Sequence, residues 1–254
     1  MTPVIAVKNL TKLYGGRGVL CRALYQVNLE IDPGEFVAVM GPSGSGKTTL
    51  LHIISTIDKP SQGQIIIDGR ETGGLKEQEL ALFRRDVIGF VFQEFNLLDN
   101  MTIGDNIALP LTLNNVNAAV ILRKVEELTT LFGIDDQLDK YPYQLSGGQK
   151  QRAAVCRALV NEPKILFADE PTGALDSKAA SELLTCFRNV RTQYGTTVVL
   201  VTHDASAASY CDRVFFLKDG MISGKLETNG NSEAFFKKIL NMVALMGGER
   251  NERL

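Results

Sequence analysis

Phe36-Val37-Ala38-Val39-Met40-Gly41-Pro42-Ser43-Gly44-Ser45-Gly46-Lys47-Thr48 decides the fold of this chain. Its first five residues are an unbroken apolar run, the pattern of a strand buried on both faces, as in a parallel sheet. The next eight fit G-x-x-x-x-G-K-[ST], and the apolar segment from Thr49 reads as a helix. Strand, glycine loop and helix in that order make a phosphate cradle. Gly41, Gly44 and Gly46, with Ser43 and Ser45 between them, let backbone N–H groups turn inward, and the helix N-terminus adds a favourable dipole. Lys47 supplies a point charge for β- and γ-phosphates, and Thr48 a hydroxyl for Mg²⁺. At average residue frequencies the pattern arises by chance in roughly 1% of chains of this length.

Upstream, Val27, Leu29 and Ile31 alternate with Asn28 and Glu30 before the turn Asp32-Pro33-Gly34, which predicts a half-buried strand in an antiparallel sheet. Downstream, Ile65-Ile66-Ile67 followed by Asp68-Gly69 predicts a short strand and a turn. From about Gln93 to Leu159 glycines become sparse and helix-forming runs such as Ala118 to Phe132 dominate. Buried strands then return at Ile165–Ala168, Val198–Val201 and Val214–Leu217, alternating with helical segments. That order implies a parallel sheet with crossover helices, interrupted by a helical insertion.

A chain of 254 residues has enough length to bury a sizeable core, and its charged fraction of 22% is ordinary for a globular protein. The net charge of −2 gives no electrostatic footprint for nucleic acid. Apolar runs fall far short of the ~20 residues that span a bilayer, and the Met1-Thr2-Pro3-Val4 start has no secretory pattern. Cys21, Cys156, Cys186 and Cys211 show no metal-ligand spacing with the only histidines, His52 and His203. The expectation is a soluble intracellular protein with reduced, mostly buried cysteines.

A phosphate loop alone does not choose among kinases, GTPases and transport ATPases, although no N-K-x-D sequence is present to read guanine. Ile165-Leu166-Phe167-Ala168-Asp169-Glu170 is an apolar strand ending in two carboxylates, which places them at the carboxyl edge of the sheet beside the loop. Asp169 is suited to hold Mg²⁺ through water, and Glu170 to orient or deprotonate an attacking water. Leu145-Ser146-Gly147-Gly148-Gln149 precedes the helical run Lys150–Val160. A serine and two glycines at a helix start make a second anion site, which a single nucleotide on one subunit does not need.

Together with the phosphate loop, that last sequence resembles the signature of ABC transporter ATP-binding subunits. The resemblance runs from about Ile5 to Gly248. It implies an α/β P-loop NTPase (RecA-like) core with an antiparallel β subdomain and an inserted α-helical subdomain. In these terms residues 1–254 are a single nucleotide-binding domain: 1–92 and 160–230 form the core with the β subdomain, 93–159 the helical subdomain, and 231–254 a C-terminal helical tail. Ser146, Gly147, Gly148 and Gln149 would face the γ-phosphate bound to a second copy, so that dimerisation completes two composite ATP sites. Tyr14 matches the aromatic that stacks on adenine, and Gln93 the glutamine that senses Mg²⁺ and the nucleophilic water. Asp176, in Ala174-Leu175-Asp176, matches the loop at the dimer interface. His203 matches the switch histidine that contacts the γ-phosphate. Glu170, His203 and Gln93 are the implied catalytic set, with Thr48, Gln93 and Asp169 around Mg²⁺. Thr49 completes the implied ATP ligands, and His52 reads as structural.

Within the superfamily the chain resembles macrolide-exporter and lipoprotein-release subunits, on Asp169–Asp176 and Val201-Thr202-His203-Asp204. It is most similar to bacitracin-resistance (Bce-type) subunits, on Phe95-Asn96-Leu97-Leu98-Asp99, Lys140-Tyr141-Pro142 and Ala207-Ala208-Ser209-Tyr210-Cys211. That likeness implies an FtsX-like integral membrane permease as partner and a place on the cytoplasmic face of the membrane. It also implies resistance to antimicrobial peptides, alongside a sensor kinase reached through the permease. Phe95, Leu97, Leu98 and Met101 form an apolar group that could dock a partner or belong to the core. Phe235, Phe236, Ile239, Leu240 and Val243 form a helical stripe, ended by Gly247-Gly248, that is expected to pack on its own domain. A macrolide or lipoprotein-release ATPase, and a regulatory ATPase that gates a membrane partner without transport, remain alternatives.

Overall fold

The structure, a computed structural model, describes residues 2–16 and 19–248. Two strands open the chain, β1 (Ile5–Gly16) and β2 (Val19–Ile31), and they pair antiparallel. Val27, Leu29 and Ile31 are buried and Asn28 and Glu30 exposed, as their alternation predicts. β3 (Phe36–Met40) runs into the phosphate loop and α1 (Lys47–Ile54). β4 (Gln62–Ile67) and β5 (Arg70–Glu71) complete a four-stranded sheet in the order β2-β1-β4-β5. α2 (Glu77–Val87) leads to β6 (Ile88–Val91). Three helices follow before the next strand: α3 (Ile103–Leu113), α4 (Ala118–Leu131) and α5 (Gly147–Leu159). The chain then alternates through β7 (Ile165–Asp169), α6 (Ser177–Tyr194), β8 (Thr197–Thr202), α7 (Ala205–Ala208), β9 (Arg213–Lys218) and β10 (Met221–Glu227), ending in α8 (Ser232–Gly248).

The second sheet has the order β10-β9-β3-β8-β7-β6, with β10 antiparallel and the other five strands parallel. Every residue of β3, β7 and β8 is buried because this sheet is covered on both faces. Alternate side chains of β3 enter different cores. Val37 and Val39 join the antiparallel sheet and α1, while Phe36, Ala38 and Met40 join the helices of the opposite face. Burial of each valine side chain is worth about 1.5–3 kcal/mol. This double coverage fixes the sheet edge on which the loops sit.

Two expectations need correction. The stripe of α8 that packs inward is Phe235, Ile239, Met242 and Met246, whereas Leu240 and Val243 are exposed. The helix also carries on through Gly248 instead of stopping before the glycine pair, and residues 249–254 of the expected tail lie outside the described residues. Among the cysteines, Cys156 and Cys211 are buried and Cys186 half-buried, but Cys21 is exposed; all four are free thiols. Burial pushes the Cys156 and Cys211 thiols well up, so they stay protonated. No helix among the described residues is long and apolar enough to cross a membrane.

Candidate active site

Parallel registry gathers the loops that follow the strands. Met40 pairs with Thr202, Asp169 with Val201, and Val91 with Ala168. Gly41, Glu170, His203 and Gln93 therefore leave the sheet at one carboxyl edge, where ligands of open α/β sheets bind. Ser43, Gly44, Gly46, Lys47, Thr48, Thr49, Glu170 and His203 line a cleft of about 560 Å³ there.

The start of α1 is left open by its geometry. Gly46 holds the N-cap position at φ 102°, and no side chain caps the helix. A Cβ on Gly46 would lie 2.6 Å from the Ala23 carbonyl oxygen, so this backbone requires glycine. Free N–H groups at an uncapped helix start are an anion site. Lys47 is buried, and its Nζ donates to the carbonyls of Gly41 at 3.0 Å and Pro42 at 3.1 Å. Burial lowers its pKa, against the pull of Glu170 and Asp169, so a ligand bringing negative charge would restore what desolvation removes.

Beside the loop, the Thr48 hydroxyl donates to Asp169 Oδ1 at 3.3 Å. Burial raises the Asp169 pKa, opposed by that hydrogen bond. Glu170 adopts φ 45°, a left-handed conformation that costs a non-glycine residue about 1–3 kcal/mol and tends to persist where function requires it. Its N–H donates to the Val201 carbonyl at 2.9 Å, and its Oε1 lies 3.1 Å from His203 Nδ1. The His203 side chain is 66% exposed and Glu170 only 21%, so the carboxylate sits inward and the imidazole at the rim. A carboxylate so held can orient or accept a proton from a water beside a bound phosphate.

Other expected site residues are outside the cleft lining. Gln93 is exposed beyond the end of β6 and does not line the cleft. Tyr14 also lies outside the lining; its hydroxyl donates to Asp58 at 2.7 Å and the Lys12 ammonium sits 4.7 Å over its ring. Ser146, Gly147, Gly148, Gln149 and Asp176 form a second cluster. Ser146 caps α5, with its Oγ accepting from Gln149 N–H at 3.3 Å while Gln149 Oε1 accepts from Ser146 N–H at 3.0 Å. Asp176 caps α6 by accepting from the N–H groups of Lys178 and Ala179. Cβ atoms on Gly147 and Gly148 would meet nothing closer than 3.7 Å, so packing within this chain does not require either glycine. Cys21, Arg22 and Ala23 of β2 line the cleft and carry no sequence motif. The signal that would have found them is strand pairing, since β1–β2 registry sets Tyr14 opposite Cys21 and Leu13 opposite Arg22.

The ABC transporter family model matches residues 24–173, from within β2 to just past Glu170. The chain belongs to the ABC transporter family. This ABC ATPase is 46% identical over 252 residues to the ABC transporter ATP-binding protein YxdL of Bacillus subtilis (strain 168), covering 99% of this chain and 98% of that one. It is 47% identical over 250 residues to the bacitracin export ATP-binding protein BceA of Halalkalibacterium halodurans, covering 98% and 99%. A solved dimeric structure of the ATP-binding cassette MJ0796 of Methanocaldococcus jannaschii, in a post-hydrolysis state with ADP and Pi, superposes with a TM-score of 0.84 at 41% identity. That superposition covers 89% of this chain and all of the other. ATP binding and hydrolysis are thus the chemistry of this ABC ATPase, and the fold is that of the P-loop cassette.

Proposed function

We propose that two copies of this chain close around two ATP molecules, each held by the phosphate loop of one copy and covered by Ser146, Gly147 and Gly148 of the other. The observation that carries this reading is the pair of glycines that the chain's own packing does not need. A glycine in the first turn of a helix costs up to ~1 kcal/mol against alanine, so its benefit lies outside the monomer. The dimeric MJ0796 cassette supports the same reading.

Within such a dimer, Lys47 and the backbone of the loop hold the phosphates, Tyr14 takes the adenine, and Glu170 orients the attacking water. His203, joined to Glu170, holds the γ-phosphate at the rim. Mg²⁺ fits the donors present, because Thr48 Oγ1 and Asp169 Oδ1 face each other at 3.3 Å and this ion takes oxygen ligands. Thr48, Asp169 and Gln93 would hold it, and it would neutralise charge on the phosphate oxygens. Gln93 lies outside the cleft lining, so its role requires the loop after β6 to move inward when ATP binds.

The work of the dimer is to drive an FtsX-like permease at the cytoplasmic face of the membrane, giving resistance to bacitracin-like peptides. The BceA relative supports that choice. A groove of about 560 Å³ offers the permease a surface, with Phe90, Phe92, Pro110 and Leu113 for an apolar face and Arg84 and Arg85 at the rim. Of the apolar group after Gln93, Leu97 packs on the core and Leu98 is 42% exposed, so Leu98 is the member free to join such a contact. Two measurements test the proposal. Glu170→Gln should elute as a dimer with ATP and as a monomer without it. The wild-type chain should co-purify from membranes with a permease, and bacitracin should stimulate the ATPase of that complex. A Glu170→Gln chain that stays monomeric at saturating ATP would overturn the composite site. A peptide-insensitive complex would overturn only the substrate.

A further inference from the structure

β1 stops being a regular ladder near its end. Its pairing with β2 shifts register between Leu10 and Lys12 and again between Lys12 and Leu13, and such irregularities re-aim side chains. Lys12 and Tyr14, two residues apart on one strand, both turn toward Asp58 in the connection between α1 and β4. Asp58 Oδ1 accepts from Lys12 Nζ at 2.7 Å, and its Oδ2 accepts from the Tyr14 hydroxyl at 2.7 Å. Lys12 Nζ donates as well to the Lys59 carbonyl at 2.7 Å. Ser61 holds the backbone between them, accepting from Leu13 N–H at 3.0 Å and donating its own N–H to the Thr11 carbonyl at 2.9 Å. One short connection therefore clasps the end of β1.

Lys12 is buried, and a desolvated ammonium needs a compensating charge. Burial would raise the Asp58 carboxyl, but the hydrogen bonds from Lys12 and Tyr14 outweigh it and hold the pKa below the usual carboxylate value. The same carboxylate thus fixes a cation and a phenol. The Lys12 ammonium covers one face of the Tyr14 ring at 4.7 Å, and Tyr14 is 41% exposed, which leaves the other face to a flat partner. Asp58 is itself set by α1. Thr56 adopts φ 62°, a left-handed conformation rare for a β-branched residue, and turns the chain back over the helix. Ile57 and Asp58 N–H then both donate to the His52 carbonyl, at 2.9 and 3.0 Å. Lys47, Thr48 and Thr49 of the same helix line the phosphate cleft.

We infer that Asp58 is a positioning residue that fixes Tyr14 as the platform for the ATP base, at a distance from the phosphate loop set by α1, with Lys12 backing the ring. This inference rests on Tyr14 taking the adenine, as proposed above. A ring ordered before ATP arrives need not be ordered by it, so the effect falls on affinity and leaves the chemical step alone.

The test uses the full chain with Asp58→Asn, Tyr14→Phe and the double variant, each measured for KM and kcat with ATP and for inhibition by inorganic tripolyphosphate, which has no base. We expect each single variant to raise the ATP KM about 3- to 30-fold, and the double variant to raise it no further than the larger single change. The value of kcat should stay within about twofold, and tripolyphosphate should inhibit as it does wild type. A merely structural aspartate would weaken ATP and tripolyphosphate together and lower the melting temperature, which overturns the inference. Additive effects in the double variant overturn it as well. Tyr14→Ala, run alongside, separates the two readings. An unchanged KM there removes Tyr14 from the base site, and the inference with it. A raised KM in Tyr14→Ala beside wild-type values in Asp58→Asn and Tyr14→Phe keeps the adenine assignment and overturns the role of Asp58.

Discussion

α1 begins at a left-handed Gly46 with no side-chain cap, whereas α5 begins at Ser146 with its first turn closed by Gln149. Both starts are glycine-rich, and in sequence both read as anion sites. The first carries a glycine that the surrounding backbone makes obligatory, and a buried lysine beside it. The second carries glycines that nothing nearby requires, and its donors are partly used by its own capping box. The first start is therefore preorganised by the fold, while the second is stable as it stands, and the proposed partner nucleotide would give its glycines a use. Half a composite site should have this asymmetry.

The largest effect should come in the first of the two, where Glu170 lines the cleft with the phosphate loop. Glu170→Gln keeps the loop and the lysine, so ATP affinity should hold while turnover falls about 10²- to 10⁴-fold, the range for loss of a general base. Single-turnover ATPase assays beside equilibrium nucleotide binding would show the split. Unchanged turnover would remove Glu170 from the chemistry.

A matched pair of glycine substitutions tests the asymmetry next. Gly46→Ala must accommodate φ 102° and a Cβ 2.6 Å from the Ala23 carbonyl, which should cost about 2–5 kcal/mol and abolish ATP binding. Gly148→Ala meets only ordinary contacts, 3.7 Å to Leu175 and 3.9 Å to Ala179, so the monomer should be unchanged or gain up to ~1 kcal/mol. Its failure should appear only in dimerisation and turnover. Denaturant unfolding of both variants, with sedimentation of the second in ATP, would break the comparison if Gly148→Ala destabilised the monomer as much as Gly46→Ala.

Asp169 allows a subtler test on the phosphate side. Burial raises its folded pKa above the unfolded value of 3.8, so the folded chain binds more protons than the unfolded one in the window just above 3.8. Its contribution to stability is greatest at low pH and falls as pH rises through the folded pKa, where the buried carboxylate must carry its charge. Asp169→Asn should therefore flatten this part of the stability–pH curve and raise the melting temperature at neutral pH, while ATPase activity is lost. A melting temperature that drops at pH 7 would show that the hydrogen bond from Thr48 outweighs desolvation.

What could be read from sequence divides along similar lines. β3, the phosphate loop and α1 are legible because strand burial, the glycine turn and the helix start lie within a single continuous segment. The capping box is equally local, with Ser146 and Gln149 three residues apart. Cys21 and Arg22 are not legible as cleft residues because their place comes from pairing with β1, a register that motifs do not encode. The face of α8 is ambiguous in the sequence for a different reason. Phe236, Leu240 and Val243 repeat at the same spacing as Phe235, Ile239 and Met242, so periodicity offers two stripes and only tertiary packing chooses. Asp58 reads as an ordinary turn residue until Lys12 and Tyr14, 46 and 44 positions earlier, are brought to it.

The smallest effect falls on the second start. Ser146→Ala removes the oxygen that accepts from Gln149 N–H and leaves the reciprocal bond to Ser146 N–H in place. Loss of half a capping box should cost about 1 kcal/mol. For a chain of this size that lowers the melting temperature by about 2–4 °C. Were capping the only role of Ser146, ATPase activity well below the transition would be unaffected, and Ser146→Asp, an equally good cap, would behave as wild type. If the hydroxyl also faces the partner's nucleotide, the two variants part. The aspartate restores the melting temperature yet sets a negative charge against a phosphate, so it should lose more turnover than the alanine. Stability and activity ranked in opposite orders would assign Ser146 to the site, and the same order for both would leave it a helix cap.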